Sequence, residues 1–247
     1  MLYFASDFHL GLYKQEVHKQ EQKIIDFLNY AVSNGAKQIF LVGDIFDFWF
    51  EYKRAVPKGY FRLFYTFHQI VNSGIKITLF KGNHDMWMFD YLEKECGVEI
   101  ITNELELEYK GKTFFIHHGD GLGPGDYSYK FIKKIFRSKL NQWLFSRLHP
   151  NFGLWLGELL SKKSRLAKSE FEKKDQYMGD DKEFLTQFVQ QMVIKKPDID
   201  YYIFGHRHLP LNIAVGHAHY INLGEWIHHN TYAVFDGQKM ELKTWNA

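Results

Sequence analysis

Asp44 stands directly after an apolar run of residues 38–42, with only Gly43 between them. The run predicts a buried strand, and Gly43 lets the backbone turn sharply where a side chain would obstruct a site. A carboxylate on such an apolar rim is costly to bury alone, so it needs cations or hydrogen-bond donors nearby. By itself, the pattern also fits an ordinary turn at the end of a strand.

The same arrangement recurs at four other apolar runs, which cover residues 2–6, 75–80, 113–117 and 201–204. Each run leads into a group of Asp, Asn or His residues: Asp7 and His9; Asn83, His84 and Asp85; His118 and Asp120; and His206 and His208. Open α/β sheets place their sites at the carboxyl ends of the strands, so these side chains should converge. They are hard-to-borderline metal ligands, and the set is large enough for two cations that share Asp44.

The composition is that of a globular chain with a sizeable core and no strong charge. Its 247 residues, 45% of them hydrophobic, are within range for one domain or for one domain with an insert. A net charge of +2 is too small to indicate nucleic-acid binding. The single cysteine, Cys96, excludes an intramolecular disulfide and a cysteine zinc site. No secretion signal and no window of about 18 uncharged apolar residues is visible, so the sequence predicts a cytoplasmic protein.

Strand and helix patterns alternate along the first hundred residues, which predicts βαβ units. A helical pattern covers about 16–33, Pro57 can open a second helix, and a short helix is expected over about 86–95. Strict alternation over 104–109 and further strand patterns after residue 210 predict additional strands. The mixture predicts an α/β protein with two packed sheets flanked by helices.

The region from about 127 to 196 is helical in pattern, basic and aromatic. Its lysines and arginines are interleaved with large apolar residues such as Phe131, Ile135, Trp143, Leu144 and Trp155. One interpretation is a set of helices packed on the core with ordinary solvated basic faces. The other is a lid that binds an amphipathic anionic substrate or lies on a membrane surface.

The five motifs, in chain order, resemble those of the calcineurin-like metallophosphoesterases. They are Asp-x-His, Gly-Asp, Gly-Asn-His-Asp, His-Gly-Asp and Gly-His-x-His, and the resemblance runs from about residue 1 to 235 apart from the central insert. The resemblance implies an αββα sandwich of two mixed β-sheets. It also implies a single domain over 1–247 with a helical lid insertion at about 127–196.

The resemblance further implies two divalent metal ions, with Mn²⁺ preferred and Fe or Zn as alternatives. One ion would be held by Asp7, His9, Asp44 and His208, and the other by Asp44, Asn83, His118 and His206. His117 cannot face the metals together with His118, because side chains alternate across a strand. The family's ligand directly precedes the glycine, which assigns His118.

His84 occupies the position at which the family uses histidine to contact phosphate and to protonate the leaving oxygen. An imidazole suits this catalytic role because its pKa is near neutrality. Asp47 is a candidate orienting partner for His84, and a turn cap is the alternative for that aspartate.

Within the family, the chain is most similar to the UDP-2,3-diacylglucosamine pyrophosphohydrolases of lipid A synthesis. The similarity lies in residues 7–11, 43–49 and 118–120, and in Asp126 and Tyr129. It implies water attack on the α-phosphorus, with release of UMP and 2,3-diacylglucosamine 1-phosphate. The substrate-binding residues implied are Asn83, His84, Asp126, Tyr129, Arg165, Lys168 and His206.

The same similarity predicts a nucleotide-sugar lipid substrate and an anionic membrane surface as partners, with no nucleic acid. The protein would then lie on the cytoplasmic face of the inner membrane. In one respect the chain departs from these enzymes, many of which carry arginine at the position of His84. An arginine clamps phosphate, whereas a histidine can also donate a proton. Two alternatives therefore stay open: a dinuclear-metal phosphodiesterase or nuclease with another substrate, and a non-catalytic binding module, which should have lost ligands.

Overall fold

A computed structural model of the chain describes residues 1–13, 15–125, 127–171 and 176–246, without the side chains of residues 164–171. The elements in chain order are β1 (Leu2–Ala5), α1 (Val17–Ser33), β2 (Gln38–Val42), α2 (Phe61–Asn72), β3 (Lys76–Phe80), α3 (Tyr91–Cys96), β4 (Glu99–Ile101), β5 (Leu105–Tyr109), β6 (Lys112–Ile116), α4 (Tyr127–Arg137), α5 (Lys139–Phe145), α6 (Pro150–Phe171), α7 (Phe184–Lys195), β7 (Tyr201–Phe204), β8 (Pro210–Val215), β9 (Ala218–Leu223), β10 (Thr231–Phe235) and β11 (Met240–Thr244).

Two mixed β-sheets face each other. The first has six strands in the order β11-β10-β1-β2-β3-β4, and the second has five in the order β5-β6-β7-β9-β8. Strands β1 to β4 run parallel to one another, as do β6, β7 and β9. The remaining pairs, β1 with β10, β10 with β11, β5 with β6 and β8 with β9, are antiparallel. The carboxyl ends of β1, β2 and β3 therefore lie along one edge of the first sheet, and those of β6 and β7 lie along one edge of the second.

Three apolar layers hold the sheets and helices together. Between the sheets, Phe4 and Phe40 stack with ring centroids 4.9 Å apart and pack against Phe114 and Ile203. Helix α1 buries its apolar stripe, which includes Phe27, on the outer face of the first sheet together with α2 and α3. Helix α7 covers the outer face of the second sheet. This layering confirms the predicted αββα sandwich.

The main difference from the sequence prediction is the third helix, which was expected over about 86–95 and begins only at Tyr91. The Glu51 carboxylate accepts hydrogen bonds from the backbone N–H groups of Asp90 and Tyr91, at 2.9 and 3.2 Å. These bonds satisfy donors at the start of the helix and leave the preceding residues in a loop. That loop carries Asn83 and His84. The short strand β4 was also not predicted.

The region predicted as an insertion contains α4 to α7. Helices α4 to α6, called the lid below, follow the loop after β6, whereas α7 packs on the second sheet through Leu185 and Val189. The boundaries of the insertion stay a prediction. In the described ranges, no helix has the combination of length and apolar character that crossing a membrane requires.

Candidate metal centre and active site

Five of the seven predicted metal ligands have a left-handed backbone. Their φ angles are 56° for Asp7, 47° for His9, 53° for Asp44, 64° for His206 and 61° for His208. Such conformations cost about 1–3 kcal/mol each in non-glycine residues and cluster at functional sites. All five follow directly on β1, β2 or β7, so the strands end in strained turns that project the side chains into one space.

Asp7, His9, Asp44 and His208 form a first cluster, whose potential ligand atoms lie within 4.8 Å of one another. His208 Nε2 lies 3.2 Å from Asp7 Oδ1 and 3.1 Å from His9 Nε2. His9 Nε2 lies 4.0 Å from Asp44 Oδ2. The backbone N–H of His206 donates to Asp7 Oδ2 at 3.0 Å and so ties the turn after β7 to the turn after β1.

Asp44, His118 and His206 form a second cluster of the same kind, which shares Asp44 with the first. His118 Nε2 lies 3.3 Å from Asp44 Oδ2 and 3.3 Å from Asn83 Oδ1. The structure thus brings together all seven residues that the sequence predicts as ligands.

His118 is oriented by its second ring nitrogen. Nδ1 lies 2.8 Å from the carbonyl oxygen of Val42, which can only accept, so Nδ1 carries the proton and donates. Nε2 is then the nitrogen available to a metal ion. Gly43 permits this contact, because a Cβ at that position would overlap the His118 ring. At Gly82, a Cβ would likewise overlap the Asp44 carboxylate.

The donor set fits divalent cations. Asp7, His9, Asp44 and His118 are each at most 1% exposed, so their charges need buried partners. Burial raises the pKa of Asp44, but the imidazoles of His118, His84 and His9 outweigh it and hold this pKa well below its usual range. Burial alone would lower the pKa of His118, but the nearby carboxylates, first among them that of Asp44, together outweigh this effect, and the pKa is raised to about 10. The surroundings of Asp44 therefore stabilise its ionised form, which attracts cations. The mixture of carboxylate, amide and imidazole groups suits Mn, Fe or Zn.

Asp85 fastens two ligand loops to each other. Its Oδ1 accepts from the Gly82 N–H and its Oδ2 from the Ile45 N–H, both at 2.7 Å. Burial, together with the charge of Asp44, raises the pKa of Asp85 to about 7. The sequence pattern did not predict this role, although the place of Asp85 in the Gly-Asn-His-Asp motif was a signal.

His84 lies beside both clusters. Its backbone N–H donates to Asp44 Oδ1 at 2.8 Å, and its ring centroid is 4.9 Å from that of His9. His84 Nδ1 lies 3.0 Å from the carbonyl oxygen of Asp47 and 2.8 Å from Ser161 Oγ. The Asp47 carboxylate lies 3.9 Å from His9 Nδ1. The catalytic role of His84 and the orienting role of Asp47 stay predictions.

Tyr129 reaches the site from α4. Its hydroxyl donates to Asp120 Oδ2 at 2.6 Å, and its ring centroid is 6.2 Å from that of His206. Lys133 Nζ also pairs with Asp120 Oδ2 at 2.6 Å, so α4 is tied to the loop that follows His118. This role of Asp120 was not predicted from the sequence, although its place in the His-Gly-Asp motif was a signal.

The side chains of three predicted substrate residues lie outside the described part of the chain. Asp126 lies outside the described residues, and Arg165 and Lys168 lie in α6 with side chains outside the description. His117, by contrast, accepts a hydrogen bond from the Gly119 N–H at 2.8 Å, and burial lowers its pKa to about 4.

A cavity of about 430 Å³ opens beside His84 and extends under the lid. Asn83 and His84 line it together with Tyr129, Ser161 and Lys163, and most of its wall is apolar. That wall includes Phe48, Met86, Trp87, Ile132, Phe136, Phe145 and Leu160. The arrangement can hold a polar group near the two clusters and a hydrocarbon group beyond it.

Comparison with known proteins places these features in a family. Residues 2–210 match the sequence model of the calcineurin-like phosphoesterases. A Porphyromonas gingivalis protein named UDP-2,3-diacylglucosamine hydrolase is 34% identical over 254 residues, which cover 98% of this chain and 97% of that protein. Proteins of the same name from Vibrio atlanticus and Histophilus somni are 27% and 28% identical. Their matches cover 98% and 91% of this chain, and 96% and 91% of those proteins.

Among solved structures, an archaeal phosphodiesterase matches with a TM-score of 0.50 at 15% identity and covers 99% of both chains, which supports the fold alone. The family match covers most of the chain, and the full-length relatives carry the name of a hydrolase. The protein is therefore a hydrolase that belongs to the calcineurin-like phosphoesterase family, as its ordered motifs predicted.

Proposed function

We propose that the protein hydrolyses the pyrophosphate bond of UDP-2,3-diacylglucosamine and releases UMP and 2,3-diacylglucosamine 1-phosphate. The observation that carries this proposal is the apolar cavity that begins at Asn83 and His84 and runs under the lid. The relatives that match over nearly their full length support it, because their names specify this substrate.

An acyl chain offers only methylene and methyl groups for recognition, so a binding site for it must be an apolar cavity. Each buried methylene contributes about 0.8 kcal/mol. The wall formed by Ile132, Phe136 and Leu160 supplies such a surface. A small soluble phosphodiester would leave that surface unused, which is why the cavity favours a lipid substrate over a generic one.

Two bound divalent cations, for which we propose manganese, would supply an activated water and neutralise charge on the pyrophosphate. The chain's own contribution is to hold the ligands before substrate arrives. The strained turns after β1, β2 and β7 fix Asp7, Asp44 and His206, and the hydrogen bond that His118 Nδ1 donates to the Val42 carbonyl oxygen fixes the His118 ring. Asn83 and His84, which line the cavity, would hold the phosphates next to this cluster.

His84 is proposed as the general acid. As the bond from the water oxygen to the α-phosphorus forms, the bond from that phosphorus to the bridging oxygen breaks. A proton from His84 would then pass to the bridging oxygen, which leaves with the lipid 1-phosphate. Tyr129, Asp126, Arg165, Lys168 and His206 stay proposed contacts of the substrate.

The outer surface of the lid is proposed to rest on an anionic bilayer at the cytoplasmic face of the inner membrane. Phe131, Trp143 and Trp155 are 63%, 52% and 55% exposed on it. A groove beside α4 is lined by Lys130, Lys133, Lys134 and Arg137. Exposed aromatic rings next to lysines are the combination that membrane-surface helices use.

Hydrolysis in ¹⁸O-labelled water tests the proposed bond cleavage. Attack on the α-phosphorus places the label in UMP, and we expect mass spectrometry to find it there. Label in 2,3-diacylglucosamine 1-phosphate would instead indicate attack on the other phosphorus. Absence of both products from the lipid, when an aryl phosphodiester is hydrolysed in the same buffer with Mn²⁺, would contradict the proposed substrate.

A further inference from the structure

Ser161 of the lid helix α6 contacts the proposed catalytic histidine. Its side chain is buried, with 8% of the residue exposed. Ser161 Oγ lies 2.8 Å from His84 Nδ1 and 2.9 Å from the carbonyl oxygen of Asp47. That carbonyl oxygen is itself 3.0 Å from His84 Nδ1. The three groups thus form a closed triangle of hydrogen-bonding distances.

The chemistry of the three groups fixes the direction of these bonds. The Asp47 carbonyl can only accept, so the Ser161 hydroxyl donates its proton there. Ser161 Oγ then acts as an acceptor toward His84, and His84 Nδ1 carries the proton that both oxygens receive. His84 Nε2 is left as the nitrogen that can face substrate, and it can protonate the leaving oxygen when the ring is an imidazolium with a proton on each nitrogen. The triangle therefore sets the rotation of the ring and keeps Nδ1 as a donor.

Helix α6 reaches this position because it approaches the loop after Asp44 very closely. Gly153, Gly157 and Ser161 are spaced by four residues and so lie on one face of the helix. A Cβ at Gly157 would overlap the ring of Phe48, and one at Gly153 would overlap the Tyr52 hydroxyl. Both contacts fall on the segment that carries the Asp47 carbonyl. The close packing delivers Ser161 to His84 without a long side chain.

We propose that Ser161 is a positioning residue for His84, supplied by the same helix that lines the acyl cavity. This inference rests on the proposed function, since it takes His84 as the group that protonates the leaving oxygen. It follows that α6 has two tasks. Leu160 and Ser161 both line the cavity, and Ser161 also holds the histidine, so correct docking of the lid and a competent general acid are linked.

Steady-state kinetics of Ser161→Ala with diphenyl phosphate and Mn²⁺ test this role, because the phenolate leaving group of this aryl phosphodiester benefits from protonation. We expect kcat to fall roughly ten- to a hundred-fold, the range for losing a hydrogen-bonding partner beside a metal site. KM and bound manganese should stay near wild type, and Ser161→Thr, which keeps the hydroxyl, should recover most of kcat. Ser146→Ala is the matched control, because it removes a serine hydrogen bond to a lid carbonyl, that of Trp143, which involves neither α6 nor His84.

A double-mutant cycle separates positioning from other roles. In a His84→Ala background, Ser161→Ala should produce no further loss of kcat. An equal loss in both backgrounds would overturn the inference, as would a rise in KM with kcat unchanged. Failure of the proposed function has a different signature: wild-type enzyme would then hydrolyse the aryl phosphodiester but not the lipid, whatever residue stands at 161.

Discussion

Asp44→Asn and Asp44→Ala are expected to abolish turnover of every phosphodiester substrate. Asp44 belongs to both ligand clusters and accepts the His84 N–H, so its loss affects both proposed cations at once. A metal ion contributes several kcal/mol to stabilising charge in the transition state. Since each ~1.4 kcal/mol is tenfold in rate, kcat should fall on the order of 10³-fold or more.

Metal analysis of the purified variants is the accompanying measurement, and bound manganese should drop from two ions toward one or none. The asparagine variant keeps the shape of the side chain and tolerates the left-handed backbone, so its melting temperature in EDTA should match that of wild type. Asp26→Ala, at an exposed position on α1, is the matched control. Full activity of either Asp44 variant, or of wild-type enzyme stripped by a chelator, would contradict the shared-ligand arrangement.

His84→Ala is expected to lower kcat by roughly 10²–10⁴-fold, the usual contribution of a general acid. Bound metal should remain near the wild-type amount, because the two ligand clusters retain Asn83 and their other members. His84→Gln should be about as inactive, since glutamine can donate a hydrogen bond to Ser161 but cannot transfer a proton.

The informative comparison is kcat against metal content in the same preparations. If His84→Ala loses manganese in proportion to activity, the side chain is a ligand or a structural support and the general-acid assignment is wrong. Wild-type kcat in His84→Gln would contradict proton transfer directly.

The convergence of the seven candidate ligands was predictable because each residue follows an apolar strand. Parallel neighbours such as β1, β2 and β3 must end at the same edge, so Asp7, Asp44 and Asn83 converge whatever the details of the loops. The left-handed backbone at Asp7 and Asp44 was not predictable, since aspartate adopts it only where the surrounding fold enforces it. The late start of α3 could not be predicted from the pattern of apolar residues either, because it depends on hydrogen bonds to the distant Glu51 carboxylate.

The link between the lid and the chemistry was beyond sequence reasoning for a similar reason. Ser161 is 77 residues from His84 along the chain, and a serine within a helical pattern carries no signal that it touches a histidine. Tyr129 shows the same limit, because its motif indicates substrate binding while its hydroxyl donates to Asp120. Contacts of this kind depend on which face of a helix packs on the core. The lid helices carry apolar residues on several faces, so their sequence does not predict which face that is.

The most direct test of the proposed function compares kcat/KM for UDP-2,3-diacylglucosamine with kcat/KM for its deacylated form in the intact enzyme with Mn²⁺. The acylated compound should be favoured at least about tenfold, because burial of two methylenes at ~0.8 kcal/mol each already supplies that factor. Leu160→Asp, which places a charge in the cavity wall, should remove most of the preference, while Leu140→Asp on the exposed side of α5 should retain it. Equal kcat/KM for the two compounds in wild-type enzyme would contradict the account of the lid as an acyl-binding site.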